Sequence, residues 1–172
     1  GSSSPSTEAK DKRVILAHGA SCHGLLPLRA FPANTGWLDV ALLRINPVGT
    51  RMDTLKPTDT DDLGDVNEVV GHIEQVRAKG TGVIGMKIMG EGAFKDAETR
   101  DASIKFVMGL GTVDAVTIGF KSPAEIDEAI ERHLELGRAG TLSDRMVELF
   151  GPAKMAFVIS ARPLPHGRSV AF

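Results

Sequence analysis

Four short apolar runs, each followed by polar residues, constrain the fold of this chain most strongly. The runs lie at residues 14–17, 40–43, 83–86 and 115–118, and each is nearly continuous rather than alternating. Continuous apolar runs are typical of strands that are buried on both faces of a parallel sheet. Because helical patterns separate the runs, the sequence predicts an α/β fold with right-handed crossovers.

Helix signals occupy the segments between the runs. Residues 66–76 carry apolar side chains at helical spacing, and Gly80 follows where a C-terminal cap belongs. Asp96 is predicted to cap the next helix. Ser122 gives the clearest start signal, because Pro follows it directly and Glu125 completes a capping box.

The spacing of the strands suggests an architecture. Strand starts roughly 30 residues apart match the β/α unit of an eight-unit barrel. We therefore predict parallel β/α units that form half of a (β/α)8 TIM-type barrel, with an open four-stranded sheet as the alternative. The four units cover residues 8–137, residues 1–7 are a linker or tag, and residues 138–172 form a C-terminal helix and an extended tail.

A half barrel has two unpaired strand edges, and this predicts what must cover them. The partner is a second half-barrel or a second copy of the chain in a homodimer. Otherwise the tail covers an edge, or the chain belongs to a longer protein.

Composition excludes several classes of function. The chain of 172 residues has 20 Lys and Arg against 22 Asp and Glu, so no basic excess predicts nucleic-acid binding. Its single cysteine excludes a disulfide framework within one chain. No apolar run reaches the roughly 18 residues of a membrane span, and no signal segment opens the sequence, so we expect a cytoplasmic protein. Tyrosine is absent, which removes any mechanism that uses a phenolic acid of this chain.

Polar residues follow each predicted strand, at the edge where parallel sheets carry function. In chain order they are His18, Ser21, Cys22, His23, Arg44, Asn46, Lys87, Gly90, Glu91, Gly92, Gly119, Lys121 and Ser122. The Gly90–Gly92 turn lets backbone N–H groups approach a phosphate, and the helix that starts at Ser122 offers a second anion site. Together they suit a pyrophosphate or a nucleotide. The alternative is that the glycines only turn the chain and Ser122 only caps its helix.

Two further hypotheses concern the chemistry of residues at individual strand ends. His18, Cys22 and His23 suggest a metal site, but no further ligand follows at a suitable spacing, so we predict no metal. The alternative for a histidine at a strand end is a hydrogen bond to neighbouring backbone. Lys87 is the one weak catalytic candidate, because a desolvated lysine can form a Schiff base in a lyase or aldolase-like enzyme. The alternative is that Lys87 pairs with Glu91.

Four segments resemble aldo-keto reductases in their order and spacing, from about residue 8 to residue 136. GVIGMKIMGEG at residues 82–92 looks like the seventh strand of that family, and VDAVTIGFKSPAEIDE at residues 113–128 looks like the eighth strand with its helix. Residues 18–23 and 38–47 are similar to the ends of the fifth and sixth strands. The resemblance implies the C-terminal half, strands five to eight, of a barrel that transfers hydride between NAD(P) and a carbonyl.

The resemblance also implies contacts to the nicotinamide nucleotide. Ser21 would touch the carboxamide, residues 88–92 would follow the pyrophosphate, and residues 119–122 with Glu125 would line the adenosine end. The implied cofactor-binding residues are Ser21, Cys22, Lys87, Gly90, Glu91, Gly92, Gly119, Lys121, Ser122 and Glu125. Glu125 stands where NADP-using members commonly have arginine, so NAD is favoured over NADP.

The chain departs from the family in ways that affect catalysis. The catalytic tyrosine and its supporting residues come from the first four strands of the family, which have no counterpart here. Cys22, Leu42 and Met86 stand where the family commonly has asparagine, glutamine and an aromatic residue. We therefore expect a cofactor-side half with no turnover alone. A non-catalytic half-barrel module that binds a nucleotide or assembles with a partner, and a lyase that uses Lys87, remain the alternatives.

Overall fold

The structure, a computed structural model, describes residues 5–56, 62–138 and 158–159. The chain is an α/β protein with a parallel sheet and flanking helices. In chain order the elements are α1 Pro5–Asp11, β1 Gly19–Ser21, α2 Leu25–Ala30, a 3₁₀ turn Phe31–Asn34, β2 Val40–Arg44, α3 Val66–Ala78, β3 Gly82–Met86, a 3₁₀ turn Gly90–Gly92, α4 Ala97–Gly109, β4 Ala115–Ile118, α5 Pro123–Arg138 and β5 Val158–Ile159.

The strands pair in the order in which they occur along the chain, β1-β2-β3-β4-β5, and every pairing is parallel. Parallel neighbours need a crossover, and each crossover here contains one of the helices α2 to α5. The last pairing is short and joins Val158 and Ile159 to Thr117 and Ile118 of β4. Two residues of the tail thus pair with β4 on the side away from β3. This is an edge strand that we expected the tail to cover.

The described helices cover only one face of the sheet. Alternate strand residues are buried in one apolar core with side chains of α2, α3 and α4; on the strands these include Ala41, Leu43, Val83, Val116 and Ile118. The residues between them have intermediate exposure, namely Val40, Leu42, Ile84, Ala115 and Thr117, whereas Arg44 and Met86 on that second face are buried. The strands are thus largely buried on both faces, as their continuous apolar runs predicted, and the face toward the described helices is the more deeply buried.

The first strand does not lie where its apolar run predicted. Residues 14–17 belong to no strand, and Val14 and Leu16 are 76% and 89% exposed. The strand begins instead at Gly19, which pairs with Val40 so closely that a Cβ there would lie 2.4 Å from the Val40 carbonyl oxygen. Consequently His18 precedes β1 and lies at the opposite edge of the sheet from the other predicted site residues.

The predicted helix signals are confirmed with one change in detail. The Asp96 carboxylate accepts a backbone N–H at the start of α4 at 2.7 Å, and Gly80, with φ of 85°, follows the end of α3. At α5, the Ser122 hydroxyl accepts from the Glu125 N–H at 3.4 Å. The Glu125 carboxylate accepts from the Lys121 N–H at 2.7 Å, so the capping box closes one residue earlier than predicted.

The ends of the chain bear on the predicted domain limits. Helix α1 includes residues 5–7 of the segment assigned to a linker. The predicted C-terminal helix lies outside the described residues.

Within residues 5–56 and 62–138, none of the helices combines the length and the apolar character that crossing a bilayer requires.

Candidate functional site

The carboxyl ends of the four main strands meet at one edge of the sheet, where α/β proteins bind ligands. Ser21 is the last residue of β1, Lys87 follows β3 and Gly119 follows β4. The parallel register therefore brings the predicted strand-end residues to a common edge. His18 is the exception, for the reason given above.

A carboxylate and two cations meet at the ends of β2 and β3, and we call Arg51, Lys87 and Glu91 the Glu91 cluster. Lys87 Nζ donates to Glu91 Oε1, and Arg51 Nε lies 3.5 Å from Glu91 Oε2. The pairing alternative for Lys87 is thus the one the structure shows, and a Schiff base at Lys87 requires that this contact break first. Burial alone would raise the pKa of the Glu91 carboxyl. The Lys87 hydrogen bond and the charges of Lys87, Arg51 and Arg44 outweigh it and lower that pKa.

The backbone of the Glu91 cluster is left-handed at all three residues. The φ angles are 56° at Arg51, 61° at Lys87 and 59° at Glu91. For residues with a Cβ this conformation costs about 1–2 kcal/mol each, and it persists where surrounding contacts enforce it, often at functional sites. One such contact is the fully buried Asn46 amide, which donates to the carbonyls of Thr50 and Lys87 at 2.7 and 3.2 Å.

The Gly90–Gly92 turn meets the loop that follows β4. A Cβ built on Gly92 would lie 3.8 Å from Lys121 Nζ, so the ammonium group of Lys121 reaches the turn. Gly90 and Gly92 have φ of 56° and 84°, which glycine adopts without steric cost. The loops after β3 and β4 therefore share one surface that carries two lysines, Lys87 and Lys121. The N–H groups of Gly90 and Gly92, which the sequence predicted to approach a phosphate, donate instead to the carbonyls of Lys87 and Met89 at 2.8 and 2.9 Å.

The start of α5 adds a negative charge to this surface. Glu125 is held against the Lys121 backbone N–H, while Gly119, Lys121 and Ser122 are exposed. The surface is thus cationic at Gly92 and anionic at the first turn of α5.

A buried polar network, which we call the Arg44 network, lies at the ends of β1 and β2. Arg44 Nη2 lies 2.8 Å from His23 Nδ1, and Arg44 Nη1 lies 3.8 Å from Asp53 Oδ1. Asp53 Oδ1 also accepts the Gly24 N–H at 2.7 Å. Because arginine can only donate, His23 accepts at Nδ1 and carries its ring proton at Nε2. Burial raises the pKa of the Asp53 carboxyl, against the opposing effects of the Gly24 hydrogen bond and of the Arg44 charge.

The surroundings of Cys22 and His18 indicate a structural role for both side chains. Burial, reinforced by the Asp53 charge and opposed by Arg44, raises the pKa of the Cys22 thiol to about 12, so the thiol stays protonated near neutral pH. The His18 ring donates its Nε2–H to the Trp37 carbonyl, which is the backbone contact that the sequence offered as the alternative to a metal site. Among the described residues, no three His, Cys, Asp or Glu side chains come together as metal ligands.

Sequence reasoning missed two residues of this edge, Arg51 and Asp53. Both lie in the loop between β2 and α3, several residues beyond the strand end. The strand-end rule selects only residues that follow a strand directly. A search for charged residues along the whole loop, rather than directly after the strand, finds both of them.

Comparison of the chain with protein-family models, with curated proteins and with solved structures found no match. The resemblance to aldo-keto reductases therefore rests on the four segments of this sequence alone.

Proposed function

We propose that this chain is the cofactor-side half of an aldo-keto-reductase-like barrel and binds a nicotinamide dinucleotide across the ends of β3 and β4. The observation that carries the proposal is the approach of Lys121 Nζ to Gly92. It joins the two loops that resemble the pyrophosphate-binding and adenosine-binding loops of that family. The uninterrupted strand order supports a barrel half, because doubly wound sheets reverse their order at the binding crevice.

The residues at this edge suit the groups of a dinucleotide. Lysine ammonium groups neutralise the charge of phosphate oxygens, and a turn of glycines lets a phosphate come close to the chain. Lys87 contacts Glu91 of the Gly90–Gly92 turn, and Lys121 Nζ reaches Gly92. When bound, the nicotinamide supplies or accepts a hydride. The residues of this chain bind and orient the cofactor, and carbonyl reduction needs an acid–base group from strands outside this chain.

Glu125 supports NAD rather than NADP as the ligand. Its carboxylate is fixed at the start of α5 by the Lys121 N–H. In the resembling family this position faces the adenosine end, where NADP carries its additional phosphate. Two like charges there repel each other, so the 2′-phosphate weakens binding.

A titration of the purified chain with NADH, followed by nicotinamide fluorescence, tests the proposal. We expect saturable binding that is tighter for NADH than for NADPH. Lys121→Gln should weaken NADH binding about tenfold, which corresponds to about 1.4 kcal/mol, because it removes a charged donor to phosphate.

The matched control is Lys79→Gln, because Lys79 is exposed beyond the end of α3, at the opposite edge of the sheet. We expect its NADH affinity to stay within about twofold of the wild-type value, as for surface charges far from a ligand. Equal losses in the two variants, or no binding of NADH at millimolar concentration, would contradict the proposal.

The second face of the sheet favours a second candidate function, that of an assembly module. Val40, Leu42, Ile84 and Ala115 form an apolar surface without a described helix against it. Parallel sheets usually have both faces covered. A partner that supplies further β/α units, either a second half-barrel or a second copy of the chain, would cover this face. Sedimentation velocity should then show a dimer that forms as concentration rises, whereas a monomer throughout the micromolar range would rule out self-assembly.

A further inference from the structure

We infer that Glu91 is an internal competitor for the anion site, and that its carboxylate holds the position that a diphosphate takes between Lys87 and Arg51. The inference rests on the proposed function, because it concerns the same turn and the same lysine. It adds that the affinity of the chain for its anionic ligand is limited by one of its own side chains.

The geometry of the Glu91 cluster resembles that of a bound anion. One carboxylate oxygen faces Lys87 Nζ, and the other lies 3.5 Å from Arg51 Nε. The two cations come from different strand ends, and Glu91 is the group that joins them. Phosphate oxygens accept from the same ammonium and guanidinium donors that a carboxylate uses. A diphosphate at the Gly90–Gly92 turn therefore competes for both cations.

The position of Glu91 makes this competition direct. Glu91 is the middle residue of the Gly90–Gly92 turn, at which the phosphates are proposed to bind. A diphosphate bound at the turn therefore lies next to the Glu91 carboxylate. Unless Glu91 moves away, its charge repels the ligand.

The exposure of the Lys87–Glu91 pair and the charges around it allow a diphosphate to replace the Glu91 carboxylate. The side chains of Lys87 and Glu91 are 20% and 35% exposed, so a dissolved anion can reach them. Such accessible ion pairs are weak and are screened by salt. The further charges near the turn are those of Arg44, which faces the buried Asp53, and of Lys121, beside Glu125. Without Glu91, the balance of charge at the turn favours an anion.

The experiment is calorimetric titration of inorganic pyrophosphate into the wild-type chain, Glu91→Gln and Glu98→Gln at low ionic strength. Gln keeps the shape of the side chain and removes its charge. Glu98 is an exposed glutamate in the first turn of α4 and serves as the control for the loss of one negative charge. We expect Glu91→Gln to bind pyrophosphate about tenfold more tightly than wild type, and Glu98→Gln to stay within about twofold. The gain at Glu91→Gln should shrink as salt is added.

Each other outcome has a defined meaning. Equal affinities of wild type and Glu91→Gln would overturn the inference and leave the proposed function standing. Weaker binding by Glu91→Gln would also overturn it, since Glu91 would then be holding the cations in place for the ligand. No binding of pyrophosphate by any of the proteins would overturn the inference, and the NADH titration would then decide the proposed function separately. A gain with pyrophosphate but no binding of NADH would support Glu91 as a competitor and remove the dinucleotide as the ligand.

Glu91→Asn provides a second variant, because asparagine is favoured in the left-handed backbone that Glu91 adopts. This variant should bind pyrophosphate more tightly than wild type to a similar extent. If only one of the two neutral variants gained affinity, the loss of charge would not be the cause and the inference would fail.

Discussion

The Asp53→Ala variant is expected to lose about 3 kcal/mol or more of its free energy of unfolding at pH 7, because removing one partner of a buried ion pair strands the other. The Asp53 side chain is fully buried, and the Arg44 side chain is only 7% exposed. Asp53 also accepts the Gly24 N–H and so connects the end of β1 to the loop after β2. Alanine leaves the buried guanidinium without its counter-charge and this N–H without its acceptor. Urea denaturation followed by circular dichroism measures the loss.

Asp53→Asn is the matched variant, because its amide oxygen can still accept the Gly24 N–H. It should lose much less free energy than Asp53→Ala, about 1 kcal/mol or less, because it keeps the acceptor for the Gly24 N–H and removes a charge that burial disfavours. Burial raises the pKa of the Asp53 carboxyl above its ordinary 3.8. A carboxyl with a raised pKa stabilises the folded state most below its unfolded pKa, and this contribution is lost as pH rises through the folded value. The stability of wild type relative to Asp53→Asn should therefore be greater at pH 4 than at pH 7. A loss below about 1 kcal/mol for Asp53→Ala, the size of a surface change, would contradict the account.

The Gly49→Ala variant is expected to lose about 3 kcal/mol, because it combines backbone strain with a steric clash. Gly49 has φ of 82°, and a Cβ there would lie 2.3 Å from the Gly64 carbonyl oxygen. The Gly64 N–H also donates to the Gly49 carbonyl at 2.9 Å, so the two segments cannot separate without losing that bond. Thermal unfolding of the variant and of wild type measures the difference.

Gly80→Ala separates the two causes. Gly80 has φ of 85°, but a Cβ there would have nothing within 4 Å, so alanine meets backbone strain alone. We expect a loss of about 1–2 kcal/mol, the cost of a left-handed alanine. Equal losses at the two positions would mean that the close approach of Gly49 to Gly64 contributes nothing.

The fold was predictable where local signals and burial agree. Three of the four strands were predicted correctly, because their apolar runs coincide with the residues that pair. The position of β1 was not predicted correctly. The strand begins at Gly19, which approaches Val40 too closely for any other residue, and no local pattern reveals this contact. The sequence also did not show which face of the sheet the described helices cover, because the strand residues of both faces are apolar.

The candidate site was predictable to the extent that it follows strand ends. Lys87, Glu91, Gly92 and Lys121 were predicted from their positions after β3 and β4, and the structure brings them to neighbouring loops. Arg51, by contrast, reaches Glu91 from the loop after β2, and only the folded chain shows it. Contacts between loops depend on the path of each loop, which strand positions do not determine.

The most direct test of the dinucleotide site is a map of backbone amide chemical shifts in the isotope-labelled chain during titration with NADH. We expect the saturable changes to cluster at Glu91, Gly92, Lys121 and Ser122. The amides of Gly80 and Gly111, which precede β3 and β4 at the opposite end of the strands, should not change. Changes concentrated at that opposite end, or none at millimolar NADH, would contradict the proposed dinucleotide site.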